Sequence, residues 1–202
     1  MEKALINQSQ DKDLIKGFIA GNDQCFDELF SRYKAKVFTT IYLIVKDRST
    51  AEDLFQDVMI KVVRMIRSGK YNEEGKFLPW VIRIARNLAI DHFRKVRRNP
   101  IQRETEDYDI FHAANRAEAS SEEEIIREEN ARYIRKLIQH LPEKQREVLI
   151  MRSYADLSFK EIAAITDVSI NTALGRMRYA ILNLKKLAQA TGIPKDYEEL
   201  LH

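Results

Sequence analysis

The sequence predicts an all-α protein made of two small helical domains joined by an acidic linker. Apolar residues recur at spacings of three and four along most of the chain, which is the period of a helix with one buried face. No segment alternates apolar and polar residues as a half-buried strand would, and the 202 residues include only 6 Gly and 4 Pro. The domains are predicted at residues 11–98 and 125–190, with the linker at 99–124 and a tail at 191–202.

Charge is distributed unevenly along the chain, although the formal net charge is only +3. Residues 104–130 contain ten acidic and two basic residues, which gives this segment a net charge of −8. The rest of the chain therefore carries +11, and a surplus of that size favours a polyanion such as nucleic acid. Residues 104–124 also contain few aliphatic side chains, which is typical of a linker without a core of its own.

What the chain lacks argues against several other classes of protein. Cys25 is the only cysteine, so it cannot form a disulfide within the chain, and its apolar neighbours predict a small buried side chain in a reducing compartment. The N-terminus lacks the segments of a signal peptide, and no apolar run reaches the ~20 residues that span a membrane. We therefore expect a cytoplasmic protein with no metal site, no cofactor and no small-molecule substrate.

The first two predicted helices meet at Gly21-Asn22, a pair that tolerates the left-handed backbone at a helix end. The first helix is predicted over about residues 11–20. Asp23 is the predicted cap of the longer second helix, which ends near residues 46–48. A core-facing stripe at helical spacing follows from this assignment: Phe26, Leu29, Phe30, Tyr33, Val37, Phe38, Ile41 and Ile44.

The third helix is predicted to begin with a capping box formed by Ser49 and Glu52, and to run to about Ile66. Its outward stripe is polar and consists of Asp53, Gln56, Asp57, Lys61 and Arg64. A charge run is usually a solvated face, so this stripe alone indicates nothing more. Residues 69–76 contain turn residues without periodicity and predict a loop.

The fourth helix, predicted from Phe77 to Arg98, has two chemically opposite faces. One face is apolar and comprises Val81, Ile84, Ala85, Leu88, Ala89, Phe93 and Val96; the other is cationic and comprises Arg83, Arg86, Asn87, Arg94, Arg97 and Arg98. Trp80 and Ile90 project among the arginines, an arrangement that suits base stacking. A merely solvated cationic face and a core position for Trp80 are the alternatives. His92 projects onto the apolar face, so we expect no catalysis at Asp91-His92.

The second domain contains four predicted helices, of which the last two form a helix-turn-helix. Ser158 and Glu161 make a capping box, residues 166–168 a tight turn, and Ser169 caps the second helix, which would lie in the major groove of DNA. Its exposed early side chains suited to bases or phosphates are Ser169, Asn171, Thr172, Arg176 and Arg178. An ordinary helical hairpin is the alternative. Gly175 costs a helix about 1 kcal/mol relative to Ala, so close packing is predicted there.

Three segments in this order resemble the RNA polymerase sigma factors, in their extracytoplasmic-function (ECF) subgroup. They are AEDLFQDVMIKV, FLPWVIRIARNLAIDHFRK and LPEKQREVLIMRSYADLSFKEIAAITDVSINTALGRMRYAILNLKK. The resemblance covers nearly the whole chain. It implies that the first domain binds core polymerase and melts the −10 promoter element, and that the second domain reads the −35 element.

The resemblance also implies roles for particular residues. Core polymerase would contact Asp53, Gln56 and Asp57. The loop at residues 69–76 would capture an unstacked base with Lys70, Tyr71 and Asn72, beside Trp80 and the cationic face of the Phe77 helix. The −35 contacts would be Ser158, Lys160, Ser169, Asn171, Thr172, Arg176 and Arg178, with Arg176 as phosphate anchor and Asn171 as base reader. Leu174 and Tyr179 depart from the basic residues frequent in the family, so base readout is not assigned to them.

The resemblance further implies a partner and the absence of an activity. Members are commonly held inactive by an anti-sigma factor, often membrane-anchored, and polymerase rather than the sigma factor performs the catalysis. The main rival interpretation is a conventional dimeric helix-turn-helix regulator, which would bind duplex DNA without polymerase and would leave the basic-aromatic helix unexplained. An all-helical hydrolase is a more distant alternative.

Overall fold

A computed structural model describes residues 9–72, 74–98 and 133–190, with side chains described up to residue 96 in the first part. The described residues form helices and connections with no strand among them, which confirms the all-α prediction. They fall into two compact units, residues 9–98 and residues 133–190. The predicted linker at 99–124, residues 125–132 of the second predicted domain and the tail at 191–202 lie outside the described residues.

The first unit consists of four helices: α1 (Asp11–Ile19), α2 (Asp23–Val45), α3 (Arg48–Arg67) and α4 (Phe77–Arg98). The long helix α2 lies at its centre and packs against the other three. Apolar side chains at helical spacing fill the space between them, including Leu29, Val37, Ile41, Val58 and Val62, all buried. Helix α4 therefore has one face against a core, and its opposite face is available for a partner.

Two predicted helix starts in this unit were wrong. The Asn22 side chain, not Asp23, caps α2 and accepts a hydrogen bond of 3.1 Å from the Gln24 amide. The Asp47 carboxylate caps α3 and accepts one of 2.7 Å from the Thr50 amide, so the predicted capping box is absent. Both true caps are polar residues that lie before the predicted ones and serve equally well as acceptors.

The second unit consists of the residues 133–139, which we label α5, followed by α6 (Glu143–Ser153), α7 (Phe159–Thr166) and α8 (Ile170–Ala190). Helix α8 packs against α6 and α7. The core contains Ile138, Leu149, Ile162, Ala173 and Leu184. The helix-turn-helix is thus a packed part of this unit.

Local hydrogen bonds define the helix-turn-helix and confirm its predicted caps. Ser158 and Glu161 form the reciprocal capping box of α7, with the Ser158 amide donating to the Glu161 carboxylate at 2.7 Å. Asp167 adopts a left-handed backbone at φ 54°, and the Val168 amide donates to the Ala163 carbonyl at 3.0 Å. The Thr172 amide then donates to the Ser169 hydroxyl at 3.1 Å, which caps α8. These bonds stop one helix and start the next within four residues.

Two further observations concern the unit interiors and the membrane. Cys25 is buried, as predicted, and a Cβ built on Gly17 would lie 2.5 Å from its sulfur, so α1 approaches α2 closely at that point. No helix within the described residues is long and apolar enough to cross a lipid bilayer.

Candidate functional site

The apolar face of α4 is buried only as far as Ala89. Val81, Ile84, Ala85 and Ala89 are buried as predicted, and Leu88 and Phe93 are half-buried. Val96 lies on the predicted apolar face but is 42% exposed, so the core does not reach this end of the face. From residue 90 to residue 96 no side chain is buried, because this end of α4 extends past the core. The second half of the helix therefore presents most of its circumference to solvent.

The cationic face of α4 lies where the projection placed it. Arg83, Asn87 and Arg94 are exposed and Arg86 is half-buried, while the side chains of Arg97 and Arg98 lie outside the described residues. The Arg94 guanidinium is 3.5 Å from the Asp91 carboxylate, and both side chains are largely exposed. An exposed pair of this kind contributes only about 0–1 kcal/mol, so Arg94 can exchange this partner for a phosphate at little cost.

Trp80 has a mixed environment that the sequence left open. Its ring is half-buried, and its centroid lies 4.3 Å from that of Tyr71 and 6.0 Å from that of Phe77. Phe77 is only 5% exposed. Trp80 is thus packed in an aromatic cluster at the start of α4 and remains partly exposed, and base stacking on its exposed part stays a prediction.

The loop between α3 and α4 is shaped by two glycines with left-handed backbone. Gly69 has φ 67°, and beyond it the Lys70 amide donates to the Met65 carbonyl at 3.0 Å, which ends α3. Gly75 has φ 71° just before α4. Between them Lys70 and Asn72 are exposed, and the Asn72 amide group donates to the Glu74 carboxylate at 3.1 Å. An incoming base can replace this exposed hydrogen bond.

The polar stripe on α3 is exposed at all three positions assigned to polymerase: Asp53, Gln56 and Asp57. The sequence analysis missed Ile60, which is 49% exposed and projects about 20° from Asp53 on the helix. The signal was available, because an isoleucine at this position interrupts an otherwise polar outward stripe. An apolar side chain ringed by polar ones is the usual composition of a protein interface centre.

A cleft of about 430 Å³ lies between α3 and α4, beside this stripe. It joins Asp57 to the exposed end of α4, where Asp91, His92 and Lys95 line it. Within the described parts of the chain, no group of three or more His, Cys, Asp or Glu side chains is arranged to hold a metal ion. Because Asp57, Asp91 and Lys95 line it, the cleft presents both negative and positive charge next to the α3 stripe.

The helix-turn-helix exposes most of the side chains assigned to the −35 element. Lys160, Asn171 and Arg178 are exposed, and Arg176 is half-buried. The hydroxyls of Ser158, Ser169 and Thr172 take part in the caps: Ser158 Oγ donates to Glu161 at 2.6 Å, and Ser169 Oγ is 2.9 Å from Thr172 Oγ1. Arg178 and Asn171 are therefore the side chains on α8 with the most freedom to reach DNA.

Gly175 does not pack closely against the protein, so that prediction was wrong. A Cβ built on it would meet no described atom within 4 Å. Gly175 instead lies on the outer face of α8, three residues before Arg178 and four after Asn171. Leu174 and Leu182, each 43% exposed, and Tyr179, 61% exposed, add apolar area to that side of the helix.

Behind this face, buried polar groups brace the second unit. The buried Arg146 guanidinium donates to the Gln139 carbonyl at 3.2 Å and so connects α6 to α5. Burial lowers the pKa of Arg146, against the opposing effect of Glu143 and Glu147. Asn183 on α8 donates to the Gln145 side chain at 2.8 Å. These bonds fix α8 relative to the helices beneath it.

Both units match known families at the positions of these surfaces. Residues 29–99 match the sigma-70 region 2 family, and residues 131–177 match the sigma-70 region 4 family. The chain is 30% identical over 178 residues to RNA polymerase sigma-H factor of Pseudomonas aeruginosa, covering 86% of this chain and 91% of that protein. It is 28% identical over 179 residues to ECF RNA polymerase sigma factor SigW of Bacillus subtilis, covering 87% and 95%.

Solved structures agree with these matches at the level of the fold. CnrH, in complex with the cytosolic domain of CnrY, has a TM-score of 0.65 at 20% identity and covers 90% of this chain and 99% of its own. The sigma factor RpoE from Bartonella quintana, in complex with the anti-sigma factor NepR, also has a TM-score of 0.65 at 20% identity, covering 81% and 96%. The two family matches and the named relatives define the class of protein, a transcription-initiation factor with a DNA-binding helix-turn-helix. The chain belongs to the sigma-70 family of RNA polymerase sigma factors, in its ECF subgroup.

Proposed function

We propose that this protein directs core RNA polymerase to a set of promoters by reading a −35 element with α8 and by melting the −10 element with α4 and the preceding loop. The observation that carries this proposal is the exposed cationic face of α4, which lies beside a loop held by an aromatic cluster. A regulator that binds duplex DNA through its helix-turn-helix alone would leave this basic and aromatic surface of the first unit unexplained. Membership of the sigma-70 family supports the same function.

Core polymerase would bind the α3 stripe. Asp53 and Asp57 supply negative charge, Gln56 supplies an amide, and Ile60 supplies apolar area at the centre. A basic surface on the polymerase would complement the two carboxylates and would desolvate Ile60 on contact. Charge complementarity would orient the partners, and the apolar centre would add affinity.

Promoter melting follows from differential affinity and needs no covalent chemistry. The loop and the exposed side of Trp80 would bind an unstacked base, and Arg83, Arg86 and Arg94 would bind the adjacent phosphates. Because the contact with the unstacked base exists only with the single-stranded form, it shifts the equilibrium towards the melted promoter. The protein would have no enzymatic activity of its own, and polymerase would form every phosphodiester bond.

The −35 element would be read by α8 in the major groove. Asn171 lies in the first turn, where it can hydrogen-bond a base edge, and Arg178 lies two turns further on the exposed side. Arg176 is half-buried, which suits a phosphate contact at the edge of the groove better than base readout. Lys160 on α7 would add a second phosphate contact.

Regulation by an anti-sigma factor is part of the proposal. RpoE, which shares this fold, is solved in complex with the anti-sigma factor NepR. We expect a partner of this class here, held in the cytoplasm or anchored in the membrane, that covers the polymerase-binding and DNA-binding surfaces. The acidic linker would lie along a basic channel of polymerase, and deletion of residues 104–124 with no effect on initiation would contradict that part.

The direct test compares DNA binding with and without core polymerase. We expect the purified protein to bind bacterial core polymerase, and the complex to bind promoter fragments that neither component binds tightly alone. A conventional dimeric regulator gives the opposite pattern, with salt-sensitive binding to duplex DNA and no affinity for polymerase. No observation on the described residues favours that second function.

A further inference from the structure

The two aromatic side chains assigned to base stacking are in contact with each other. Tyr71, from the loop, and Trp80, from α4, have ring centroids 4.3 Å apart with planes inclined at 43°. Both rings are half-buried. Each ring therefore already covers part of a face of the other. Two rings that each stacked a base independently would leave those faces open.

The spacing leaves no room for a base between the two rings. A base stacked on both faces needs about two stacking distances of ~3.4 Å, close to 7 Å between the rings. The observed 4.3 Å is far shorter. An unstacked base must bind beside or outside this pair, where Lys70 and Asn72 are exposed on either side of Tyr71.

The pair is tied into the body of the first unit through Phe77. The Phe77 ring centroid lies 5.9 Å from that of Tyr71, nearly perpendicular to it, and 5.7 Å from that of Tyr33 on α2. The Tyr33 hydroxyl donates to the Asp11 carboxylate, which is also 3.0 Å from the Arg32 guanidinium. The loop is thus connected by packed rings to α2, and through the Tyr33 hydroxyl to α1.

We propose that Tyr71 is a positioning residue, which acts through Trp80 to hold Lys70 and Asn72 in the orientation that receives the unstacked base. This inference rests on the proposed function of the loop. Tyr71 and Trp80 work as one unit, because the role of Tyr71 exists only while Trp80 is present to pack against. Holding the loop in advance reduces the ordering that DNA binding must otherwise impose.

A double-mutant cycle on the complete chain bound to core polymerase tests this. The variants Y71A, W80A and Y71A/W80A are measured for affinity to a fork-junction DNA with a single-stranded −10 segment. We expect each single substitution to weaken binding by about 10-fold and the double variant to be no weaker than the poorer single one. Losses that multiply to about 100-fold would show two independent stacking contacts and would overturn the proposal.

A second measurement detects positioning without DNA. Trypsin cleaves after Lys70, and the rate of cleavage at that bond in the free chain is followed by mass spectrometry. We expect W80A to accelerate this cleavage several-fold, because the loop loses its packing partner, and Y71F to remain near wild type because it keeps the ring. An unchanged rate in W80A contradicts the proposal, even if the same variant weakens DNA binding.

Controls separate this inference from the proposed function. Y133A removes an aromatic ring that is 47% exposed in the second unit, and we expect it to leave fork binding unchanged. If W80A loses affinity for core polymerase through misfolding, W80L, which keeps apolar volume, replaces it in the cycle and in the cleavage assay. A wild-type protein that binds no polymerase refutes the proposed function. A functional wild type with multiplying losses refutes this inference alone.

Discussion

The two units build their proposed DNA-binding surfaces in different ways. In the second unit, residues 158–172 determine the position of α8 through neighbouring caps and one left-handed residue, Asp167. In the first unit, the loop before α4 is held by rings from residues 33, 71, 77 and 80, which come from α2, the loop itself and α4. The position of α8 therefore depends on residues close to it in sequence, whereas the position of the loop depends on residues up to about forty positions away.

The largest effect is expected from charge reversal on α3, which lies outside both DNA surfaces. D53K/D57K should lower affinity for core polymerase about 100-fold or more, because the two lysines that replace the exposed carboxylates would repel a basic partner. The measurement is a binding titration with labelled protein. D27K, on an exposed position of α2, is the matched control and should bind normally. If both variants bind polymerase equally well, the polymerase contact does not lie on the α3 stripe.

A smaller effect is expected at the duplex-reading surface. R178A should weaken holoenzyme binding to duplex −35 DNA about 10-fold, the loss of one good side-chain contact, and should leave fork-junction −10 binding unchanged. Duplex and fork probes are titrated in parallel at fixed salt. K186A, two turns further along α8 and also exposed, is the control. If R178A loses the same affinity for both probes, the proposal that each unit binds a different promoter element is contradicted.

Removal of a local cap should cost the second unit a modest amount of stability. S158A takes away the hydroxyl that bonds to Glu161 at the start of α7, and we expect the free energy of unfolding to fall by about 1 kcal/mol. Chemical denaturation followed by circular dichroism measures it. The first unit should unfold as in wild type, and a destabilisation shared by both units would argue against their independence.

The smallest effect has the opposite sign. G175A should stabilise α8 by up to about 1 kcal/mol, because alanine is the better helix former and no described atom lies within 4 Å of the added Cβ. G17A is the control, since its Cβ would lie 2.5 Å from the Cys25 sulfur and should destabilise the first unit. A destabilising G175A would restore the close-packing interpretation that the structure rejects.

Most of the fold could be predicted from the sequence, because helical periodicity and capping residues are local signals. The α7 capping box and the Ser169 cap were found in this way, whereas the caps of α2 and α3 were misplaced where several polar residues compete. Periodicity cannot tell where a core ends, so the exposure of Val96 was missed. The low helix propensity of glycine likewise does not show which face of α8 Gly175 occupies, so close packing was predicted there wrongly.

The candidate site was predictable in composition but not in arrangement. The cationic face of α4 and the exposed stripe on α3 follow from sequence spacing, and they lie where expected. The packing of Tyr71 on Trp80 has no such signal, because the two residues are nine positions apart and a segment without periodicity lies between them. That contact converts two predicted base-stacking residues into one proposed positioning unit.

The central claim is that this protein enables polymerase to start transcription at its own promoters. The most direct test is run-off transcription by purified bacterial core polymerase on genomic fragments from the host, with and without the protein. We predict protein-dependent transcripts whose start sites share two spaced upstream motifs, and loss of those transcripts with D53K/D57K. Absence of any protein-dependent transcript, together with binding to duplex DNA in the absence of polymerase, would contradict the account.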